Sequence, residues 1–460
     1  MALQRYNPER SLMSQYDAAT VVGLGATGLS VVRYLRSLGK HVRIVDSRET
    51  PPLAAELVRL HPDIETCYGG FDSAGLEKAA LIICSPGVAT SEPALKQAKS
   101  AGAHIVGDVE LFLQANTAPV IAITGSNGKS TVTTLVGDML LAGGRQPLIA
   151  GNIGAPVLDA ITDQQHYDIA VLELSSFQLE TTTMVSAKAA AILNVTADHM
   201  DRYASMGDYL LAKARILRGS ECAVLPRHDE QLRQITQVSR VVTFDLDEPA
   251  NDSEFGVKRE SGGRWLMRGR RRLMKLSDVH LTGLHNVKNV LAAFALIDFL
   301  DLPLETSVAA VKAFKGLPHR MQTVARANGV TWVNDSKATN IGATSTALRN
   351  LESHVIWLAG GQGKGADFNE LAEAVTDNIR LLVVFGEDAD QIETALSGKL
   401  PVCRVQGMTE AVEQAGRAAQ QGDIVLLSPA CASFDMYQNF EHRGDDFAAR
   451  ANEFIERGAA

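Results

Sequence analysis

The 460-residue sequence has no apolar run that approaches the roughly 18 consecutive residues of a membrane-spanning helix. It has only five cysteines, widely spread and without a C-x-x-C pair, which is typical of reduced thiols in the cytoplasm. The N-terminal segment lacks the apolar core of a signal peptide. Cations are the minority, and the net charge of -9 disfavours nucleic acid or an anionic membrane as partner. Together these features predict a cytoplasmic protein that binds neither nucleic acid nor a membrane.

Short apolar runs alternate with helical patterns along the chain, which is typical of βαβ units and parallel sheets. The pattern restarts twice, so we expect an α/β protein of three consecutive domains, each a mainly parallel sheet with helices. They are a Rossmann-like domain over 1–107, a P-loop ATPase-like domain over 108–316 and a Rossmann-like domain over 317–460. The basic segment Arg268–Lys275 follows Gly262-Gly263 and is predicted to be the exposed half of a β-hairpin.

The first glycine loop, GLGATG, spans Gly23–Gly28 and fits G-x-G-x-x-G between a strand and a helix. Asp46 ends the next strand, as the acidic residue of a dinucleotide site does. Glycines allow a tight turn and the close approach of a diphosphate to a helix N-terminus. The pattern predicts a diphosphate nucleotide and does not by itself specify NAD. The alternative is a tight strand–helix turn without a ligand.

The second glycine loop reads ITGSNGKST and departs from G-x-x-x-x-G-K-[ST], because Ile123 stands where the first glycine belongs. It nevertheless follows an apolar strand and opens a helix. Backbone N–H groups around Gly125–Gly128 can face phosphate oxygens, and the helix dipole favours the negative charge. Lys129 supplies a positive charge, and Ser130 or Thr131 can reach a magnesium ion. The context therefore predicts phosphate binding.

Two residues after later apolar strands are candidate metal ligands. Glu173 ends the strand of AVLELSS, and a buried carboxylate needs a partner, for which a cation is suited. His199 follows the strand of NVTADHMDRY, where a histidine alone is more often structural. Asp198 and Asp201 are competing candidates, which we interpret as loop-capping carboxylates.

The segments GSNGKST, GNIG, ELSSFQLE, NVTADHMDRY, LTGLHNVKN, LPHRMQ, NDSKATN, GGQGKGADF and SPACASFDMYQNF occur in the order found in Mur ligases. From about Thr20 onward the chain resembles this family. The last three segments are most similar to the branch that joins D-glutamate to UDP-N-acetylmuramoyl-L-alanine. The resemblance implies an ATP-dependent amide ligase of peptidoglycan precursor synthesis. The substrate carboxylate attacks the γ-phosphate of ATP, giving ADP and an acyl phosphate, and the amine of D-glutamate then displaces phosphate.

The resemblance also implies the two nucleotide sites. In this family the N-terminal domain holds UDP rather than NAD. The residues implied for the UDP site are Ala26, Thr27, Asp46, Ser47, Arg48, Ser85, Pro86 and Gly87, and those implied for the muramoyl and metal region are Asn152 and Ser175. The residues implied for ATP are Gly125, Ser126, Asn127, Gly128, Lys129, Ser130 and Thr131, with Asn286, Asn289, Arg320 and Asp335.

For catalysis the resemblance implies Lys129, His199, Lys213 and Arg320. Two Mg²⁺ ions are implied, with Ser130, Glu173, His199 and a carbamylated Lys213 as ligands. A carbamate forms from a neutral amine, so Lys213 would need a pKa below its usual value. The C-terminal domain is expected to bind the incoming amino acid through Lys337, Thr339, Lys364, Ser433 and Phe440, and to close on ATP. We expect a monomer.

Three alternatives remain at this point. Another Mur ligase or a folylpolyglutamate synthetase would keep the central domain, but NDSKATN and SPACASFDMY argue against it. An NAD-dependent oxidoreductase built on the first loop would leave Lys129, Glu173 and His199 unexplained. A nucleotide-gated binding protein without catalysis would leave the metal ligands without a role.

Overall fold

The structure is a computed structural model that describes residues 12–459 apart from 73, 197, 201, 282, 301, 350, 352, 364 and 365. Two of the residues considered above, Asp201 and Lys364, therefore lie outside the described residues. The chain divides into two compact units, of which the first ends at Phe314 and the second begins at Lys315. The first unit contains two sheets and the second contains one.

The N-terminal sheet has five parallel strands in the order β3-β2-β1-β4-β5. The order reverses between β1 and β4, which is where open α/β sheets bind ligands beyond the carboxyl ends of their strands. Its elements are α1 Leu12–Gln15, β1 Ala18–Val22, α2 Ala26–Ser37, β2 His41–Asp46, α3 Ala54–Leu60, β3 Glu65–Tyr68, β4 Leu81–Cys84, α4 Pro93–Ser100, β5 His104–Val106 and α5 Asp108–Ala115.

The central sheet has nine strands in the order β14-β13-β12-β11-β10-β9-β6-β8-β7 and is parallel up to an antiparallel meander of its last three strands. Its strands are β6 Val120–Thr124, β7 Pro147–Gly151, β8 Ile169–Glu173, β9 Ala189–Ile192, β10 Cys222–Pro226, β11 Arg240–Phe244, β12 Glu254–Glu260, β13 Gly263–Arg268 and β14 Arg271–Lys275. Its helices are α6 Lys129–Ala142, α7 Val157–Thr162, α8 Ser176–Glu180, α9 Met206–Ala214, α10 Glu230–Ile235, α11 Leu284–Ile297 and α12 Leu304–Ala313.

The sheet of the second unit has six strands in the order β15-β16-β20-β17-β18-β19, parallel except for β15. Its strands are β15 Gln322–Ala327, β16 Val330–Asn334, β17 Val355–Gly360, β18 Ile379–Phe385, β19 Val402–Arg404 and β20 Ile424–Leu427. Its helices are α13 Ile341–Arg349, α14 Ala389–Leu396, α15 Met408–Ala418 and α16 Phe440–Ala459. The helices cover both faces, and apolar side chains such as Trp332 and Trp357 are buried between the layers.

The prediction of an α/β protein with mainly parallel sheets is confirmed. The turn between β12 and β13 lies at Ser261-Gly262 rather than at Gly262-Gly263, because Gly263 already pairs with Glu260 as the first residue of β13. Arg268 ends β13, and most of the basic segment forms the next strand, β14, at the edge of the sheet. Among the described residues, no helix is both long and apolar enough to span a membrane.

Candidate active site

The second glycine loop lies between β6 and α6 at the carboxyl edge of the central sheet. Gly125 and Gly128 both have positive φ angles, of 156° and 85°. A Cβ on Gly128 would lie 2.5 Å from the side-chain oxygen of Asn289, so the loop packs directly against α11. Asn289 in turn donates to Asn286 at 3.1 Å. The structure thus brings two predicted ATP contacts to the loop, although they lie far away in sequence.

Side chains close the loop upon itself. The Lys129 ammonium donates to the carbonyls of Gly125 and Ser126 at 2.9 and 3.0 Å. Asn194, just after β9, accepts from the amide of Asn127 at 2.8 Å and donates to its carbonyl at 3.0 Å. Ser130 and Thr131 form the first turn of α6, directly after Lys129. These contacts therefore help to shape the loop, and Asn194 is a contributor that the sequence analysis missed.

Lys213 reaches the same loop from α9. Its side chain is almost completely buried, and Nζ donates to the Gly125 carbonyl at 2.9 Å and lies 4.4 Å from the centre of the Tyr209 ring. Burial, and then the nearby Lys129 ammonium, lower the pKa of Lys213 to about 7, against the opposite effect of Asp198. Two amines thus converge on one carbonyl oxygen. Such a site favours anions, or a neutral form of one amine.

Glu173 ends β8, which pairs directly with β6 in the same sheet. Its side chain is 1% exposed, and Oε1 accepts from the Asn152 amide at 2.9 Å. Oε2 is also buried and has no hydrogen-bond partner among the described residues. A buried carboxylate oxygen without a donor is costly unless a cation binds it. The donor set therefore fits a divalent cation, for which a carboxylate oxygen is a suitable ligand.

His199 adopts a left-handed backbone conformation, with φ of 57°. Its ring contacts the edge of Phe177, with centroids 4.7 Å apart, and Nε2 lies 3.5 Å from the Asp198 carboxylate. The ring is partly exposed and can reach a ligand. Asp198 also accepts from the amide of His199 at 3.0 Å, and its interpretation as a capping residue stays a prediction.

Ser175 caps α8. Its hydroxyl oxygen accepts from the amide of Gln178 at 3.2 Å, and the Gln178 side chain accepts from the amide of Ser175 at 3.0 Å. This reciprocal capping box orders the turn that directly follows β8 and Glu173. The S-x-x-Q spacing was present in the sequence and could have predicted it.

A cavity of about 600 Å³ lies beside the first glycine loop. It brings together nine of the predicted substrate contacts, which are Ala26, Thr27, Asp46, Ser47, Arg48, Ser85, Pro86, Gly87 and Asn152. The loop is tight because a Cβ on Gly28 would lie 2.0 Å from the Gly23 carbonyl oxygen. Ser85 donates to that same carbonyl at 3.0 Å.

The Asp46 carboxylate lies at the cavity wall but is already fully engaged. Oδ2 accepts from the amide of Leu24 and Oδ1 from the amide of Arg48, while the Arg48 guanidinium binds both oxygens at 2.6 and 2.8 Å. Burial alone would raise the pKa of Asp46, but the hydrogen bonds from Arg48 and Leu24 lower it overall. A carboxylate held in this way is not available to a ribose hydroxyl, which disfavours the NAD alternative.

The second unit carries its own group of predicted residues. Asp335, directly after β16, accepts from the Ser428 hydroxyl at 2.9 Å and from the amide of Met321 at 3.1 Å. Burial raises the pKa of Asp335 to about 7, although these donors and the nearby Arg320 charge favour the carboxylate. The Lys337 ammonium lies 3.9 Å from the centre of the Phe440 ring.

Thr339 donates its amide to the Lys337 carbonyl at 2.8 Å, and Ser433 is buried in the loop after β20.

Arg443 of α16 is a further residue that the sequence analysis missed. It is fully buried and makes five hydrogen bonds. They reach the hydroxyl and carbonyl of Ser336 and the carbonyls of Gly360, Cys431 and Ala432, at 2.9–3.3 Å. This single guanidinium therefore joins the loops that carry Lys337 and Ser433. Nothing in the local sequence distinguishes it from the other arginines of α16.

Comparison with known proteins covers nearly the whole chain. Residues 17–107 match the Mur ligase MurD-like N-terminal domain, residues 123–297 the Mur ligase middle domain, and residues 319–431 the Mur ligase glutamate ligase domain. A UDP-N-acetylmuramoylalanine--D-glutamate ligase of Nitrosococcus oceani is 46% identical over 448 residues, covering 96% of this chain and 98% of the relative. One from Methylobacillus flagellatus is 47% identical over 442 residues, covering 95% and 97%.

Solved structures resemble the fold at lower identity. The MurF ligase of Thermotoga maritima in complex with ADP has a TM-score of 0.58 at 15% identity and covers both chains completely. The UDP-N-acetylmuramate-alanine ligase of the same organism has a TM-score of 0.56 at 20% identity, covering 96% of this chain and 99% of the other.

Proposed function

The chain belongs to the Mur ligase family, and we propose that it joins D-glutamate to UDP-N-acetylmuramoyl-L-alanine at the expense of ATP. One contact carries the proposal. Asn152 lines the cavity beside the first glycine loop and also donates to Glu173 at the carboxyl edge of the central sheet. A substrate whose UDP end lies in that cavity therefore has a route to the phosphate-binding loop. Near-identical length and 46–47% identity to two D-glutamate ligases support this substrate.

The UDP end is bound by backbone and small polar groups. The glycine loop, Ser85–Gly87 and the N-terminus of α2 offer donors to a diphosphate, which a helix N-terminus stabilises. The Arg48 guanidinium is half exposed in the same cavity and adds positive charge. The guanidinium is paired with Asp46 but stays half exposed, so it can still donate to an anionic handle in the cavity.

The ATP end is formed by Gly125–Thr131 with Lys129. Carboxylate and phosphate-rich reactants repel each other, so cations are needed where they meet. Glu173 and His199 would hold Mg²⁺ with Ser130, and carbamylated Lys213 would add a further anionic ligand for two ions. Bound magnesium would neutralise charge on the transferred phosphoryl group.

The reaction itself is two displacements. A carboxylate oxygen of the muramoyl substrate forms a bond to the γ-phosphorus while the bond to the bridging oxygen of ADP breaks. The amine nitrogen of D-glutamate then attacks the acyl carbon, the bond from that carbon to the phosphate oxygen breaks, and the amine loses a proton. Lys129 and Arg320 are suited to hold the phosphoryl oxygens, since a guanidinium fork matches them.

The two carboxylates of D-glutamate require cations and hydroxyl donors. Lys337, Thr339, Ser433 and Phe440 of the second unit are the proposed contacts, together with Lys364, which lies outside the described residues. The Lys337 ammonium lies over the face of the aromatic Phe440 ring and can present its charge to a carboxylate. Cytoplasmic location, a monomeric state and closure of the C-terminal domain stay predictions.

Phosphate release tests the proposal. Purified protein is assayed with ATP, Mg²⁺ and UDP-N-acetylmuramoyl-L-alanine against D-glutamate, L-alanine, L-lysine and meso-diaminopimelate. We expect turnover with D-glutamate only, and its loss in the control variant Lys129→Met. Turnover with another amino acid would identify a different Mur ligase. Tight NADH binding without ATP consumption would favour the oxidoreductase alternative.

A further inference from the structure

Arg202 connects the segment around His199 with a loop that lines the cavity beside the first glycine loop. It lies three residues after His199, and its guanidinium donates to the carbonyls of Pro86 and Val88 at 2.9 and 3.4 Å. These carbonyls belong to the loop that follows β4 and lines the proposed UDP site. The side chain is 11% exposed, so the contacts are made in a largely dry environment.

Glu180, the last residue of α8, fixes the guanidinium in this position. Its Oε2 accepts from Arg202 at 2.8 Å and from the Thr90 hydroxyl at 2.9 Å, and its Oε1 accepts from the Tyr203 hydroxyl at 2.6 Å. Glu180 is 15% exposed. Thr90 belongs to the N-terminal domain, whereas Glu180, Arg202 and Tyr203 belong to the central domain. The Glu180–Arg202 pair of the central domain therefore makes hydrogen bonds to the N-terminal domain.

The same residues determine the position of His199. The amides of Arg202 and Tyr203 donate to the His199 carbonyl at 2.9 and 3.2 Å, which closes a turn around its left-handed backbone. Phe177 lies between the side chains. The Arg202 guanidinium is 3.9 Å from the centre of its ring, and the His199 ring contacts it at 4.7 Å.

We propose that Arg202 and Glu180 are positioning residues that hold the Ser85–Val88 loop at a fixed distance from His199. The inference rests on the proposed function, because it concerns one substrate that is bound at both places. The UDP group of the substrate would bind at the Ser85–Val88 loop, and its acyl end would lie near His199. Only a planar fork can bind two carbonyls and a carboxylate while stacking on an aromatic ring, so lysine cannot replace arginine here.

The test compares Arg202→Lys with Arg33→Lys. Arg33 is a matched control because it also joins the two domains, from α2 to Asp159 and Asp163, but does not contact the Ser85–Val88 loop or Phe177. For Arg202→Lys we expect kcat with UDP-N-acetylmuramoyl-L-alanine to fall on the order of 100-fold, the effect of a misplaced reacting group. Arg33→Lys should retain wild-type kcat.

Binding of UDP alone separates positioning from a general structural role. Ser85 keeps its bonds to the Val22 and Gly23 carbonyls in Arg202→Lys, so we expect the Kd of UDP and the KM of ATP to change less than about threefold. A merely structural defect would weaken both ligands and lower the melting temperature. Glu180→Gln should reduce kcat in the same direction, and the double variant should be no worse than Arg202→Lys, since both act through one contact.

Several results would overturn the inference. They are equal kcat values for Arg202→Lys and the Arg33 control, parallel losses of UDP and ATP binding, or additive effects of the two substitutions. If Arg202→Lys does not fold, Tyr203→Phe removes the hydroxyl contacts to Glu180 and Ser176 without touching Arg202, and it must still lower kcat without changing the Kd of UDP. Absence of wild-type turnover with D-glutamate would instead contradict the proposed function.

Discussion

Replacing Arg443 with methionine removes one buried guanidinium that five hydrogen bonds attach to the loops of the second unit. Methionine fills a similar volume without a donor. The Ala432 carbonyl keeps the amide of Gln362 as a donor. The carbonyls of Ser336 and Cys431 lose their shortest contacts with the guanidinium, at 2.9 and 3.0 Å.

The expected loss follows from these two carbonyls. A buried acceptor left without a donor costs about 1–3 kcal/mol. Removing a buried charge returns part of this cost, since burial already lowers the pKa of Arg443 to about 10. The net destabilisation is therefore about 2–4 kcal/mol, which for a unit of this size lowers the melting temperature by about 6–12 °C.

Tryptophan fluorescence can report on the second unit alone. The chain has three tryptophans, and the two buried ones, Trp332 and Trp357, lie in this unit. In a Trp265→Phe background, emission during heating therefore follows only their environment. Arg450→Met is the matched control, because Arg450 lies on the same helix but forms surface pairs with Asp446 and Glu453.

We expect the control to stay within about 0.5 kcal/mol of the parent, as surface substitutions usually do. A melting temperature for Arg443→Met within about 2 °C of the control would refute the reasoning, because the carbonyls would then find other donors at little cost.

Three further predictions concern single groups. Gly128→Ala should raise the KM of ATP at least about tenfold, because the new Cβ would displace Asn289. Gly144→Ala is the control, since it introduces a similar backbone strain at φ of 78° but has open space around it and should leave this KM unchanged. The pKa of Asp335 is higher in the folded state than in the unfolded state, so protonation of Asp335 stabilises the second unit fully below about pH 4. As the pH rises towards 7, this contribution to the free energy of unfolding, on the order of a few kcal/mol, is lost. The urea midpoint of unfolding should therefore vary less with pH in Asp335→Asn than in the wild-type protein. The same pH dependence in both proteins would contradict this. Burial lowers the pKa of Lys213 to about 7, so a large neutral fraction is present near that pH. It should form a carbamate that is visible by ¹³C NMR with labelled bicarbonate and missing in Lys213→Met.

The sequence predicted those parts of the fold and site that depend on local pattern. Apolar strands alternating with helices predicted the parallel sheets. The two glycine loops at strand–helix junctions predicted where the cavity of the N-terminal sheet and the phosphate-binding loop of the central sheet lie. The capping box of Ser175 and Gln178 was also local and could have been predicted.

The remaining features depend on long-range pairing, which no local pattern specifies. Glu173 reaches the phosphate loop because β8 pairs with β6 in a register that places it opposite Ile123. Arg202 and Pro86 are 116 residues apart in sequence. Asn194 and Arg443 likewise have ordinary sequence surroundings, and only the folded chain shows their partners.

The first glycine loop shows most directly where a motif stops being informative. Its G-x-G-x-x-G spacing and the acidic residue at the end of β2 are shared with dinucleotide sites, in which that carboxylate binds a ribose. Here Arg48, two residues later, donates to both carboxylate oxygens of Asp46. Asp46 therefore binds a guanidinium instead of a ribose hydroxyl. The cavity wall consequently presents a half-exposed guanidinium instead of a carboxylate. In this chain, the arginine beside the acid is the local signal that favours an anionic handle over NAD.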